Sequence, residues 1–182
     1  DYDPSTGRYV ESDPIGIDAG PTTYGYALLN PTGGIDPNGL LTLLFYRATN
    51  TLWVMPGKGA PYKIHVSSGR QDCNQCTEKD RNKGPIPKGD YRGYARDLSD
   101  PNFVGDAARN LRGDWGDWRM KLWPDDAAAT HGRDGFFLHG GWQPGSAGCI
   151  DVGGGIFGDD ITNRLKNDIK ADPDGVIYVR VR

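Results

Sequence analysis

The sequence has no excess of positive charge. Its 21 lysines and arginines are outnumbered by 24 aspartates and glutamates, for a formal net charge of −3. A chain of this charge has no general electrostatic attraction to nucleic-acid phosphates, which argues against a nucleic-acid partner. It also lacks any apolar run near the ~20 residues that cross a bilayer, and it does not begin with a signal peptide. We therefore expect no membrane span, and export that depends on another part of a longer protein.

Histidine and cysteine are scarce, with three residues of each, whereas glycine (27) and proline (13) are abundant. Nine tyrosines and five tryptophans supply bulky anchors, so this composition predicts a turn-rich β domain rather than disorder. At 182 residues the chain is long enough for one ordinary domain with a short appendage. We therefore predict a fold that is mainly β.

The first forty residues are rich in chain breakers and show no amphipathic helix pattern. Asp-Pro-Ile-Gly at 13–16 returns as Asp-Pro-Asn-Gly at 36–39. By itself each motif is a good turn, because proline fixes φ and glycine tolerates positive φ. The chain begins in the middle of a motif without methionine, so we expect it to be the C-terminal piece of a longer protein.

From Tyr2 to Leu40 the sequence closely resembles the core end of Rhs-family proteins, large YD-repeat shells that carry a variable toxin at their C-terminus. The resemblance implies that Asp13 and Asp36 form an aspartic-protease-like pair and that the chain is cut after Leu40. Two carboxylates held close share one proton, so one can activate water while the other protonates the scissile carbonyl. The implied domains are an irregular Rhs core tail over 1–40 and a toxin domain over 41–182.

Strand patterns begin directly after this tail. Residues 41–57 alternate well enough to predict a β-hairpin that turns near Thr49 and Asn50, and residues 60–69 predict a further strand. Residues 84–98 predict a rigid proline turn that enters another strand.

The C-terminal part is predicted to contain a helix. Residues 106–126 are ambiguous, because their glycines weaken any helix. Ile161, Leu165 and Ile169 recur at fourfold spacing after an acidic start, which predicts an amphipathic helix. Residues 176–182 are predicted to close the chain as a strand.

The segment from His139 to Cys149, HGGWQPGSAGC, can supply the parts of a cysteine nucleophile site. Such a site needs a base to form the thiolate, a group that holds the base, and backbone donors for an oxyanion. His139 follows an apolar strand and can act as the base, while the amides of Gly148 and Cys149 can point at a bound carbonyl oxygen. The alternative is a buried thiol that packs as a small hydrophobe beside an unrelated histidine.

Three motifs in this order resemble the L,D-transpeptidases, and most closely the branch used as antibacterial type VI secretion effectors. They are GPIPKGDY at 84–91, FFLHGG at 136–141 and GSAGCID at 145–151. The resemblance spans 41–182 and is strongest over 84–152. It implies an L,D-transpeptidase-like β-sandwich or barrel with one or two short helices.

The resemblance implies Cys149 as nucleophile and His139 as base, with a backbone carbonyl orienting the histidine. Oxyanion or substrate support is assigned to Ser146, Gly148, Gly140, Trp142 and Asp151. Asp151 stands where housekeeping members typically carry arginine, which implies an altered choice of acceptor. The implied reaction is acyl transfer on peptidoglycan stem tetrapeptides, with D-alanine expelled and the thioester resolved by water or a D-amino acid. This chemistry needs no cofactor and no metal.

The toxin interpretation also implies a location and partners. The protein would be secreted by its producer and act in the periplasm of a target bacterium. Its expected partners are peptidoglycan stem peptides, the parent Rhs shell, and a cognate immunity protein that plugs the cleft. Two alternatives stay open: a metal-dependent nuclease or ADP-ribosylating toxin that uses His139, and a non-catalytic module that grips glycan or an immunity protein.

Cys73 and Cys76 have the C-x-x-C spacing of a redox pair or half a zinc site. No second pair of cysteines exists, so a zinc site is the third choice. A local disulfide formed in an oxidising compartment is the first prediction, and unpaired structural thiols are the second.

Overall fold

The computed structural model describes residues 2–3, 8–9, 40–73, 75–100 and 116–182. The chain divides into two compact units, Asp1–Gly39 and Leu40–Arg182. In the first unit, strand β1 (Tyr2–Asp3) pairs antiparallel with β2 (Arg8–Tyr9).

The second unit is built on one eight-stranded mixed sheet in the order β5-β4-β3-β10-β6-β7-β8-β9. Its elements are β3 (Thr42–Tyr46), β4 (Thr51–Met55), β5 (Tyr62–His65), β6 (Gly89–Tyr94), β7 (Arg119–Pro124), β8 (Phe136–Gly141), β9 (Ile150–Gly154), α1 (Asp160–Lys170) and β10 (Val176–Val181). Two neighbouring pairs are parallel, β3 with β10 and β8 with β9, and the other neighbours are antiparallel. The described residues are therefore mainly β with one α-helix, as predicted.

A backbone bridge joins the two ends of this sheet. Ser67, just beyond β5, and Asp151, in β9, exchange two backbone hydrogen bonds of 2.9 Å each. Because β5 and β9 are the outermost strands in the sheet order, this bridge makes the sheet nearly closed and barrel-like. Closure of this kind leaves fewer unpaired strand edges to pair with another chain.

The core is formed by alternate strand positions together with one stripe of α1. The largest fully buried side chains include Trp118, Tyr91 and Phe136. Leu165 and Ile169 of α1 are fully buried, which confirms the amphipathic helix predicted from their spacing. Among the described residues, no helix has the length and apolar character needed to cross a membrane.

Local sequence signals placed the hairpin and the last strand correctly. A 3-10 turn at Arg47–Thr49 joins β3 to β4, and Asn50 follows it in the left-handed region at φ 51°. The ambiguous segment 106–126 contains strand β7, which pairs with both β6 and β8. The sheet on either side of β7 supplies the hydrogen bonds that offset its weak local propensity.

We predict that Asp159→Ala lowers the free energy of unfolding by about 1 kcal/mol, because Asp159 caps α1. Its side chain accepts a hydrogen bond from the Thr162 amide, and Thr162 Oγ1 accepts one from the Asp159 amide, both at 2.8 Å. Urea denaturation followed by circular dichroism measures the change. The exposed Asn167→Ala in the same helix is the control and should cause no loss. Equal stabilities for the two variants would contradict the capping role.

Candidate active site

The structure brings Cys149 and His139 to neighbouring parallel strands. His139 lies in β8 opposite Asp151 of β9, and Cys149 immediately precedes β9. The Cys149 thiol is 3.9 Å from the carbonyl oxygen of Gly135, just before β8 begins. Both side chains are almost fully buried, at 1% exposure for His139 and 3% for Cys149. The predicted base therefore lies in β8, and the predicted nucleophile is the last loop residue before the neighbouring strand β9.

A backbone carbonyl orients the His139 ring. Nδ1 is in hydrogen-bond contact with the carbonyl oxygen of Gly140. A carbonyl only accepts hydrogen bonds, so Nδ1 carries a ring proton, and in the neutral imidazole the lone pair is on Nε2. Nε2 is therefore the nitrogen that can accept a proton from a nucleophile.

The surroundings of Cys149 favour a protonated thiol in the resting protein. Burial is the largest effect and raises the thiol pKa above its ordinary value, and the negative charge of Asp151 also raises it. Hydrogen bonds from the Ser146 side chain and the Phe137 backbone lower the pKa, as does the positive charge of Arg133. A thiolate at Cys149 would therefore need a base to remove the proton.

The loop that connects β8 to β9 is unusually short for a parallel pair. It contains only eight residues, 142–149, whereas such crossovers usually need a dozen or more. Gly145 and Gly148 allow the tight return, with φ values of +98° and +83°. A Cβ atom at Gly148 would lie 2.7 Å from Nη2 of Arg133, and one at Gly145 would lie 2.8 Å from the carbonyl oxygen of Gly69. Both positions therefore need glycine for conformation and for space.

The residues just after β5 hold this loop from the side. The Gly145 amide donates to Ser67 Oγ at 2.7 Å, and the Gly69 amide donates to the Ser146 carbonyl at 2.9 Å. Ser67 Oγ in turn donates to Asp151 Oδ2 at 3.4 Å. Sequence reasoning missed Ser67, since a serine in a strand exit carries no local signal of this role.

Asp151 lies inside the site wall, with 3% of its surface exposed. Its Oδ1 accepts a hydrogen bond of 2.9 Å from the Gly153 amide, and its Oδ2 accepts the one from Ser67. The carboxylate therefore links β9 to the segment after β5.

The remaining predicted support residues lie in the 142–149 loop, except Gly140, which lies in β8. Trp142, the first residue of this loop, is 58% exposed. The amide of Cys149 donates to the Ser146 carbonyl at 3.4 Å, a long contact within the turn. The Gly140 amide donates to the Trp118 carbonyl at 3.2 Å, while the Gly140 carbonyl holds His139.

The predicted disulfide between Cys73 and Cys76 is formed. Along the chain it lies between residues 67–69, which contact the 142–149 loop, and the proline turn at 84–87. The Arg70 amide donates to the Lys83 carbonyl at 2.8 Å and so joins the two ends of the segment 70–83, which contains the disulfide.

The residues predicted to release the domain are Asp13, Asp36 and Leu40. Asp13 and Asp36 are outside the described residues. Leu40 is half-buried at the start of the second unit. The amide of the next residue, Leu41, donates to Asp172 Oδ2 at 2.7 Å and anchors this end of the domain.

Comparisons with known proteins give short matches in sequence. No family model matches the chain. It is 50% identical over 40 residues to the toxin protein Tse5 of Pseudomonas aeruginosa, covering 22% of this chain and 3% of that protein. It is 51% identical over 39 residues to the double-stranded DNA deaminase toxin A of Burkholderia cenocepacia, covering 21% of this chain and 3% of that protein. The chain thus matches a small part of each relative's length.

Similar solved structures cover more of the chain. Bd1075 of Bdellovibrio bacteriovorus has a TM-score of 0.45 at 17% identity, covering 75% of this chain and 46% of that one. An L,D-transpeptidase from Mycobacterium smegmatis has a TM-score of 0.42 at 13% identity, covering 78% and 58%. The chain spans about half the length of these structures. At such scores, residue roles depend on this chain's own geometry.

We predict that Gly148→Ala destabilises the fold more than Gly155→Ala. Both glycines have positive φ, +83° and +71°, so alanine costs about 1–2 kcal/mol at either position. Gly155 has open space around a new Cβ, whereas Gly148 faces the buried Arg133 guanidinium, which adds about 1–3 kcal/mol of overpacking. Urea denaturation of both variants measures the difference. Equal losses would mean that the loop can move away from Arg133.

Proposed function

We propose that the chain is an antibacterial toxin whose second unit acts on peptidoglycan stem tetrapeptides by cysteine acyl transfer. The observation that carries this proposal is the placement of Cys149 beside the strand that presents His139 with its lone pair on Nε2. The substrate class is supported by the resemblance of the 84–91, 136–141 and 145–151 motifs to L,D-transpeptidases.

The first half of the reaction forms a thioester. His139 Nε2 takes the thiol proton while Cys149 Sγ attacks the carbonyl carbon between the diamino acid and the terminal D-alanine. The resulting oxyanion is supported by amides of the loop, for which Gly148 and Cys149 are the candidates, and by the Ser146 hydroxyl. When the C–N bond breaks, the imidazolium returns its proton to the departing D-alanine amine.

The second half regenerates the thiol. Water, deprotonated by His139, attacks the thioester and completes an L,D-carboxypeptidase reaction. Attack by the amine of a free D-amino acid completes an exchange instead. Either outcome consumes the tetrapeptide donors that a target cell uses for its own cross-links, which gives a physical basis for toxicity.

The biological setting is part of the same proposal. The toxin is secreted by its producer and acts in the target periplasm, where Cys73 and Cys76 can be oxidised to the observed disulfide. Release from the parent Rhs shell follows cleavage after Leu40. The producer is protected by an immunity protein that covers the His139 and Cys149 cleft. The short similarity to the toxin protein Tse5 supports the toxin class.

We predict that Cys149→Ala and His139→Ala each reduce loss of D-alanine from purified tetrapeptide muropeptides by roughly three orders of magnitude or more. Mass spectrometry with and without an added D-amino acid separates hydrolysis from exchange. His65→Ala is the control, because His65 is an exposed residue of β5 and should retain activity.

Two outcomes would contradict this assignment. If both variants stay as active as the wild type, the acyl-transfer site is wrong. If Cys149→Ala still kills cells when expressed in the cytoplasm but not when directed to the periplasm, the toxin belongs to another class, such as a nuclease.

We also predict that Asp13→Asn and Asp36→Asn each block cleavage after Leu40 in the full-length shell protein that carries this chain. Intact-mass spectrometry should find a product that begins at Leu41 only where both aspartates are present. Asp18→Asn lies in the same segment outside the Asp-Pro-x-Gly motifs and is the matched control. Cleavage that persists in both motif variants would assign the two motifs to turns alone.

A further inference from the structure

Arg133 is a buried cation that the proposed reaction does not use. It lies in the loop before β8 and is 6% exposed. Its guanidinium donates three hydrogen bonds, to the carbonyl oxygens of Glu78 at 2.6 Å, Pro85 at 2.7 Å and Gly84 at 2.9 Å. These three acceptors are neutral carbonyls, so they hold the guanidinium in place without themselves bringing a negative charge against it.

The same guanidinium packs against the residue that precedes the nucleophile. A Cβ atom built on Gly148 would come within 2.7 Å of Nη2, which shows how closely the guanidinium approaches this backbone. The ring of Phe136, the first residue of β8, lies on another side, with its centroid 5.8 Å from the guanidinium carbon. Arg133 therefore occupies the space between the proline turn at 84–87 and the loop that carries Cys149.

A fixed positive charge in this position favours negative charge on the sulfur. Burial of a guanidinium is costly, and the three carbonyl bonds offset much of this cost. The charge then acts at short range in a region where water does not screen it strongly. Arg133 accordingly lowers the pKa of the Cys149 thiol, against the larger effect of burial and against Asp151.

The other ionisable groups around the pair have known positions. His139 comes from β8 and Asp151 from β9 on the side of the thiol. Glu78, Asp80 and Tyr91 also interact electrostatically with Arg133. Asp151 opposes thiolate formation, so Arg133 is the permanently charged cation that favours it.

We propose that Arg133 is a positioning residue that braces Gly148 from behind and holds a positive charge beside Cys149. This role deepens the proposed function, because a braced loop presents the thiol and the loop amides to the substrate in one fixed geometry. Its effect on the thiol itself does not depend on which substrate is bound.

The test is the pH dependence of Cys149 alkylation by iodoacetamide in the full chain. Cys149 is the free cysteine, since Cys73 and Cys76 form the disulfide. Arg133→Met removes the charge and keeps most of the length. We expect it to move the inflection of the alkylation rate to higher pH by about one unit, which slows alkylation about tenfold below the inflection. Arg133→Lys restores the charge and should bring the inflection most of the way back.

Arg164→Met is the matched control. Arg164 is an exposed residue of α1, and its guanidinium lies 3.9 Å from the centroid of the Tyr62 ring in β5. The inflection should stay at the wild-type pH. Circular dichroism and a cooperative thermal transition identify folded variants, and Arg133→Gln, whose amide keeps a donor for the carbonyls, replaces Arg133→Met if that variant does not fold.

A folded neutral variant with a wild-type inflection would overturn the proposal, as would a lysine variant shifted as far as the neutral one. Neither readout uses peptidoglycan. If the neutral Arg133 variant shifts the inflection as expected but the wild type does not turn over muropeptides, Arg133 keeps this role and the proposed substrate is rejected.

Discussion

The bridge between Ser67 and Asp151 is the constraint on which the rest of the site depends. Its two backbone hydrogen bonds join the outermost strands of the sheet order. Because Ser67 is held there, its hydroxyl can accept from the Gly145 amide and donate to the Asp151 carboxylate. The 142–149 loop is thus fixed in two ways. Strands β8 and β9 hold its ends, and the segment after β5 holds it along its length.

The features that could be predicted from the sequence are those determined by residues close together in the chain. The hairpin, the amphipathic helix and the candidate pair of His139 and Cys149 all depend on short spacings. Ser67 and Arg133 escaped prediction because they act across 78 residues to Gly145 and 49 residues to Gly84. Strand β7 was ambiguous for a related reason, since its register is set by pairing with β6 and β8 rather than by the glycine-containing sequence that precedes it.

The charges around the thiol oppose one another. Burial and Asp151 keep Cys149 protonated, while Arg133 and the hydrogen bonds from Ser146 and Phe137 favour the thiolate. A thiol in this balance stays protonated at rest, and in the proposed reaction it depends on His139 for its activation. Two of the carbonyls that hold Arg133, those of Glu78 and Gly84, follow the Cys73–Cys76 disulfide along the chain.

The position of Asp151 explains why this chain does not carry arginine there. The carboxylate is buried and bound by Ser67 Oγ and the Gly153 amide, which are both hydrogen-bond donors. An arginine in its place has only donors to offer, so it could not accept the hydrogen bonds that the Gly153 amide and Ser67 Oγ donate to the carboxylate. It would also break the side-chain link that supports the closure of the sheet. Asp151 therefore serves the geometry of the 142–149 loop and the closure of the sheet.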